Sequence, residues 1–403
     1  MISYPAPTRN SSMVEHFDQL PQIEALSQKD CVSFTSTCTE AQKAFHGLVK
    51  RVKLRNLTQF LLFACRRWSF LQTLAVCKIA PQLLGSVTQS NSPQLKAVRL
   101  VHMNITPSSV LQLNTSWRDL RSLRLTNTNV QMAWLLSVTW PRLEVLWLHH
   151  GSSVSEELPP ESATSHMPRL RELSLMWNQM SNALLLRLAR CWPLLQYLNL
   201  NSCMIDTWGP DALTGQVGTY NWAGLRMRHL SINCALSPTR ISAFTRKLWP
   251  DLTSLSLRTN VSNLIDPHFH LLGLHQLQHV DLMDNELGDG ACFSLQSAQW
   301  PLRTLLLCHT KITSAGVRFL AMGQWPTMQN FALSSNEAGN AYVSELINAG
   351  WPLLEELDLS GNHIDRNDIA CVFRGQWPHL RVLNVTRNLC RNAPCAIFRK
   401  ASG

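Results

Sequence analysis

A chain of 403 residues exceeds what a single globular core supports, so it must divide into domains or repeat a unit. With 45% apolar and 15% charged residues it is a folding chain rather than a disordered one, and a net charge of +10 admits an acidic partner without naming it. No apolar run reaches membrane-spanning length, because Leu57–Val76 is broken by Arg66 and Arg67, so a membrane is not expected among the partners.

The N-terminus, Met1-Ile2-Ser3-Tyr4-Pro5, lacks the charged start and apolar stretch of a secretory signal, so a cytoplasmic location is expected, with a nuclear one also open. The twelve cysteines are scattered without a CxxC pair and are expected to stay reduced. Cys390 and Cys395 stand closest, but no further ligands accompany them, and no metal or other cofactor is expected.

Residues 12–46 follow no repeat. Ser12-Met13-Val14-Glu15 reads as a capping box opening a helix with Val14, Phe17 and Leu20 on one face, ended by Pro21. A second helix from Ser27 or Asp30 carries Val32, Phe34 and Cys38, and a third carries Ala41, Ala44, Phe45 and Leu48. With Asp30-Cys31-Val32-Ser33-Phe34 and Thr37-Cys38, this segment resembles an F-box, although Ser11-Ser12 stand where that family carries a Leu-Pro dipeptide. The resemblance implies docking on a Skp-family adaptor through Val14, Phe17, Leu20 and Pro21. The other reading of the same helices is a cap on the first repeat of an array.

From residue 47 to 398 the chain repeats. Trp351-Pro352-Leu353-Leu354-Glu355-Glu356-Leu357-Asp358-Leu359-Ser360-Gly361-Asn362 returns as Trp377-Pro378-His379-Leu380 through Asn388, in the frame LxxLxLxxN. Its first apolar position falls at Val49, Leu71, Leu95, Leu120, Leu143, Leu170, Leu195, Met227, Leu252, Leu277, Leu302, Met328, Leu354 and Leu380, mostly 23 to 27 residues apart. This frame and period resemble the leucine-rich repeat. The fold class expected is an α/β solenoid of about 14 repeats, a horseshoe with a parallel sheet on its concave face and helices outside.

Alternation in LxLxx turns the leucines inward. The ninth position, Asn178, Asn260, Asn285, Asn336, Asn362 or Asn388, is expected to be a buried side chain bonding the turn and the neighbouring repeat. Elsewhere Cys203, Thr128 or Thr310 takes that place. Thr313–Ala321 reads as a capped helix. The Trp-Pro pairs at 140, 192, 249, 300, 325, 351 and 377 recur at one place between helix and strand, which marks them as core rather than as a binding stripe. Two units depart from the pattern: Gly151–Pro160, and the spacing of 32 between Leu195 and Met227 with Gly209, Pro210, Gly215 and Gly218.

The outward residues then form the concave wall. It runs from basic (Lys50, Arg51, Lys53, Arg55, Lys96, Arg99, Arg121, Arg124) through aromatic and polar (Trp147, His149, His150, Met176, Trp177, Tyr197, Asn199, Asn201) to acidic (Asp281, Asp284, Glu356, Asp358). Trp147 and Trp177 stand out, because bare indoles facing water are unusual and tryptophan is enriched at binding hot spots. The expected partner-binding set is Lys53, Arg55, Arg99, Arg124, Trp147, His149, Trp177, Tyr197 and Asn199. A nucleic acid on the basic strip is a weaker expectation, since no RNA-binding motif accompanies it. GxSxG, HExxH and P-loop motifs are absent, and His149-His150 near Glu144 or His279 near Asp281 read as surface residues, so no catalysis is expected. As in F-box/leucine-rich-repeat proteins, which the whole chain resembles, the concave face would hold a protein substrate for ubiquitination. The alternative is a stand-alone scaffold.

Overall fold

The computed structural model describes residues 71–78, 84, 88, 94–151, 166–178, 192–203, 225–233, 249–258, 274–375, 377–389 and 398, and the backbone of 51–55, 179–180, 204–205, 397 and 399. The F-box-like segment with Val14, Phe17, Leu20 and Pro21, most of both irregular segments, and Asn260 lie outside these residues. Two compact units, Met1–Thr207 and Trp208–Gly403, divide the chain within the 32-residue spacing.

In the first unit β1 (Arg51–Arg55), β2 (Thr73–Cys77), β3 (Ala97–Met103), β4 (Ser122–Thr128), β5 (Val145–His149), β6 (Glu172–Ser174) and β8 (Tyr197–Asn201) pair in parallel and in chain order. The short β7 (Gln179–Met180) and β9 (Met204–Ile205) form a separate parallel pair. Helices α1 (Pro107–Ser116) and α2 (Met132–Leu136) follow β3 and β4. The second unit repeats the scheme with β10 (His229–Asn233), β11 (Ser254–Leu257), β12 (His279–Asp281), β13 (Thr304–Leu306), β14 (Asn330–Ala332), β15 (Glu356–Asp358) and β16 (Val382–Asn384). Its last strand, β17 (Ile397–Arg399), runs antiparallel to β16. Helices α3 (Gly288–Ser297), α4 (Ser314–Ala321), α5 (Val343–Ile347) and α6 (Arg366–Val372) alternate with these strands.

The inward leucines make the core. Leu123, Leu146, Leu173, Leu305 and Leu357 are each at most 1% exposed, and each such burial stabilises by about 1.5–3 kcal/mol. The asparagine expectation holds at Asn178, Asn285, Asn336 and Asn362, while Asn388 makes the same bonds half-buried. Asn178 donates to the carbonyls of Leu148, one repeat back, and Leu175, while its Oδ1 accepts the Gly151 amide. Asn336, Asn362 and Asn388 reach back in the same way to Leu307, Leu333 and Leu359. Cys203 makes the same reach with one bond, Sγ to the Leu175 carbonyl at 2.8 Å.

All seven Trp-Pro tryptophans are at most 6% exposed, and Trp325 stacks on Trp351. They are core, as their spacing implied. The sequence suggests this proline as the stop of the preceding helix, but it does not end it. It occupies the second place of a turn closed by the fourth residue, as in Leu354 N to Trp351 O at 3.2 Å. At Trp300 one residue is missing from this frame, and the bond contracts to Leu302 N onto Trp300 O.

The helix α4 starts where its cap predicts. Thr313 Oγ1 accepts the Ala315 amide. Asp289 of α3 takes both Thr313 N and Thr313 Oγ1, tying two helix starts together. Gly316 permits that approach, for a Cβ there would collide with Asp289 Oδ1 and Ile312 Cγ2.

Candidate functional site

The register of the first unit sorts its strand residues into rows. One row runs Lys53, Ala75, Arg99, Arg124, Trp147, Ser174, Asn199, and the next contains Arg55, Cys77, Val101, Thr126 and His149. Five of the expected partner-binding residues therefore share one row: Lys53, Arg99, Arg124, Trp147 and Asn199. Tyr197 stands two places before Asn199 and is half-buried.

At the middle of the sheet these side chains interlock. The Arg124 guanidinium lies over the Trp147 ring, 3.8 Å from its centroid. Trp147 also stacks with His149 at 5.3 Å and 19°. His149 Nε2 and Ser174 Oγ share a 2.8 Å hydrogen bond that anchors the imidazole to the next strand. This stack leaves Arg124 only 5% exposed. Asn199 is likewise buried, with Oδ1 accepting the Asn201 amide. Both are part of a preorganised floor rather than freely solvated contacts.

Trp177 lies elsewhere than its LxLxx frame suggested. It is not on a strand but in the turn just past β6, at φ 60°, as is His150 after β5 at φ 51°. The residue before the ladder position is left-handed in repeat after repeat: Lys78, His102, Asn127, His150, Trp177 and Ser202 in this unit, and Asp284, His309, Ser335, Gly361 and Arg387 in the other. The cause is hydrogen bonding. The left-handed turn bends the chain under the sheet yet still aims the amide at the next repeat, as in Trp177 N to Asn201 O at 3.1 Å. A bulky side chain there costs about 1–2 kcal/mol relative to glycine. Trp177 accepts that strain while 54% exposed, stacked on His150 at 5.3 Å and 9°. Among the described residues of the first unit two aromatic pairs form, Trp147/His149 on the sheet and His150/Trp177 on its rim.

The acidic end read from the sequence is partly neutralised. Asp281 Oδ2 accepts Arg258 Nε at 2.9 Å and Nη2 at 2.7 Å, together with Ser256 Oγ at 3.2 Å. Burial lowers the pKa of Arg258, but the bond and charge of Asp281 outweigh it and raise the pKa overall. Asp358 Oδ1 is taken up by the amide and hydroxyl of Ser360. Sequence reasoning missed Arg258, which stands just past β11 in the row after Ser256. His279 bonds Thr304 Oγ1 at 3.0 Å, and its partner is therefore not Asp281. Among the described residues no group of three or more His, Cys, Asp or Glu is placed to hold a metal, and no helix is long and apolar enough to cross a membrane.

The leucine-rich-repeat family profile matches residues 274–295 and 352–370, the stretches that carry Asn285 and Asn362 in this geometry. The chain carries leucine-rich repeats there, within a leucine-rich-repeat solenoid fold. Its solenoid fold is shared at low identity with solved structures. An LRR protein of Leptospira interrogans is 18% identical, covering 87% of this chain and 81% of that one, with a TM-score of 0.51. A chain of the yeast Rad7–Elc1 complex is 17% identical over 87% of this chain and 96% of that one, with a TM-score of 0.52. An internalin of Listeria monocytogenes is 16% identical, covering 88% and 85% of the two chains, with a TM-score of 0.41. No curated protein is significantly similar to the chain. As a leucine-rich-repeat scaffold, the protein is built as an interaction module.

Proposed function

We propose that this leucine-rich-repeat protein holds a partner protein on the outward face of its first unit, with contacts from Arg99, Trp147, His149, Trp177 and Tyr197, and with Lys53 and Arg55 of strand β1. The observation that carries this reading is Trp177, an indole 54% exposed and held in a left-handed turn at φ 60°. The left-handed turn recurs from repeat to repeat, but neither core packing nor turn chemistry favours tryptophan in it, and tryptophan is enriched at contact hot spots. The test places a photo-crosslinking benzoylphenylalanine at Thr126, on the face beside Arg124, or at Gln112, on the exposed side of α1. Discrete protein adducts are expected from Thr126 and none from Gln112. Adducts from Gln112 alone, or from neither, reject the reading.

In its finer form the partner is a ubiquitination substrate and the protein is the recognition subunit of a Skp/cullin/F-box ligase. The support is the F-box resemblance of residues 12–46 ahead of the repeats. Full-length protein is therefore expected to bind a Skp-family adaptor, and Phe17→Ala and Leu20→Ala are expected to abolish binding while circular dichroism stays unchanged. Failure of the folded wild type to bind leaves a stand-alone recognition scaffold.

A further inference from the structure

We infer that the sheet edge at β17 takes up an acidic, extended segment of a partner protein as an added strand. The inference concerns the second unit and stands apart from the first-unit reading above. Charge is the first observation. From Ile369 to Gly403 the chain holds six cations, Arg374, Arg381, Arg387, Arg391, Arg399 and Lys400, and no carboxylate. More than half of the net charge of +10 therefore falls in this stretch. Arg374 and Arg387 are exposed and, among the described residues, form no ion pair. Arg381 holds Glu355 at 3.4 Å, yet its side chain stays 70% exposed. It precedes β16, and Arg387 follows that strand by three residues, so cations flank the strand at both ends.

The strand edge is the second observation. β17 is last in the sheet order and bonds β16 on one side, and among the described residues no strand pairs with its other side. Amides and carbonyls on such an edge are satisfied by another extended backbone. Phe398 pairs in register with the buried Leu383, so both point to one face, and its ring meets Phe373, just past α6, edge-on at 4.8 Å. Phe373 is nonetheless 52% exposed and Phe398 38%. An added strand would set every second residue on that face, where apolar side chains cover both rings.

Charge then decides the occupant. A second copy would press these cations against their own kind, and basic residues beside a strand edge guard it against self-pairing. A nucleic acid matches the charge but has no peptide backbone for the edge. An acidic strand satisfies both. The carboxylates Glu356 and Asp358 belong to β15, two strands in from β17. An added strand would lie three strand spacings from β15, about 14 Å, beyond the screening length of about 8 Å at physiological salt.

The probe is a short, fluorescently labelled peptide of alternating valine and glutamate, titrated against the full chain by anisotropy at low and moderate salt. Its counterparts replace glutamate by lysine, or N-methylate the backbone amides so that they cannot donate. The glutamate peptide is expected to bind tightest and to slow hydrogen exchange at the Ile397–Arg399 amides. The double variant Arg374→Gln/Arg387→Asn, with asparagine suited to φ 58°, is expected to weaken it about tenfold at low salt. Phe373→Ser is expected to weaken it about fivefold, and circular dichroism is expected to stay unchanged in both. Arg169→Gln removes an exposed cation from the first unit and is expected to change binding by less than about twofold, which separates a site from the general attraction of a basic protein. Equal binding of the lysine or N-methylated peptide, an unchanged affinity in the folded double variant, or exchange at Ile397–Arg399 that the peptide does not slow overturns the inference. So does a free chain that sediments as a dimer with those amides already protected, for then a second copy holds the edge. The Thr126 crosslink lies in the other unit and stands or falls on its own.

Discussion

Replacing Asn336 by alanine tests the ladder that holds the repeats together. The side chain is 3% exposed, and its Oδ1 accepts Thr310 N at 3.0 Å, Ile312 N at 3.0 Å and Thr310 Oγ1 at 3.1 Å. Its Nδ2 donates to Leu307 O and Leu333 O. Those two carbonyls keep second partners after truncation, Thr310 Oγ1 and Asn362 Nδ2 respectively. The two amides do not. Each buried donor left without a partner costs about 1–3 kcal/mol, so the variant is expected to lose about 4 kcal/mol locally. Hydrogen exchange reads this directly. Thr310 and Ile312 amides are expected to exchange roughly a thousandfold faster, at about 1.4 kcal/mol per tenfold. Asn348→Ala, which removes an exposed bond to Ser344 O, is the control and is expected to stay within about 0.5 kcal/mol. An acceleration below about tenfold at Thr310 and Ile312 would refute the assignment of those amides to Asn336.

Three further expectations follow from single side chains. Trp177→Asn relieves a bulky left-handed residue and is expected to leave the thermal midpoint unchanged or raised, by up to about 1 kcal/mol, even as it weakens partner binding; a clear drop in midpoint means the indole is structural. His279 is held below its ordinary 6.5 by burial first and by the charge of Arg303 second. Its unfolded state therefore binds the proton more tightly, so its contribution to stability is complete above pH 6.5 and is lost as pH falls through the folded value. Urea midpoints measured at pH 7.5 and pH 5 are expected to differ less in His279→Gln than in the wild type, and an identical difference counts against it. Burial lifts the Cys203 thiol to about 11. Peptide mapping after brief iodoacetamide treatment at pH 8 is expected to find the half-buried Cys77 and Cys371 modified before Cys203, and equal rates would contradict that burial.

Much of the fold is legible because the repeat states its own geometry. Leu357 and Leu359 alternate, Asn362 follows at a fixed distance, and Trp351-Pro352 precedes, so inward, outward and buried polar places are read by counting. Even the contracted turn at Trp300 is visible as one residue missing before Leu302. On the strands, period-two alternation is enough to place residues, and the register sets Lys53, Arg99, Arg124, Trp147 and Asn199 in one row. Alternation failed at Trp177, because LxLxx does not say where the strand stops. A signal was present: Asn127 and Gly361, the residue types that tolerate left-handed backbone, hold the equivalent place in other repeats. The Arg258–Asp281 pair was hidden for another reason. It runs diagonally between rows, and a count within one repeat cannot reveal a partner 23 residues away.

The asparagine ladder points one way. Asn336, Asn362 and Asn388 each reach a carbonyl in the repeat before their own, Leu307, Leu333 and Leu359, and each accepts amides from that preceding repeat. During synthesis, when the chain emerges N-terminus first, a repeat can therefore bury its leucines before its turn is locked. The lock arrives only with the next asparagine, some 26 residues later. Folding of the second unit is in that sense ratcheted by translation, each newly emerged repeat fastening the one already outside.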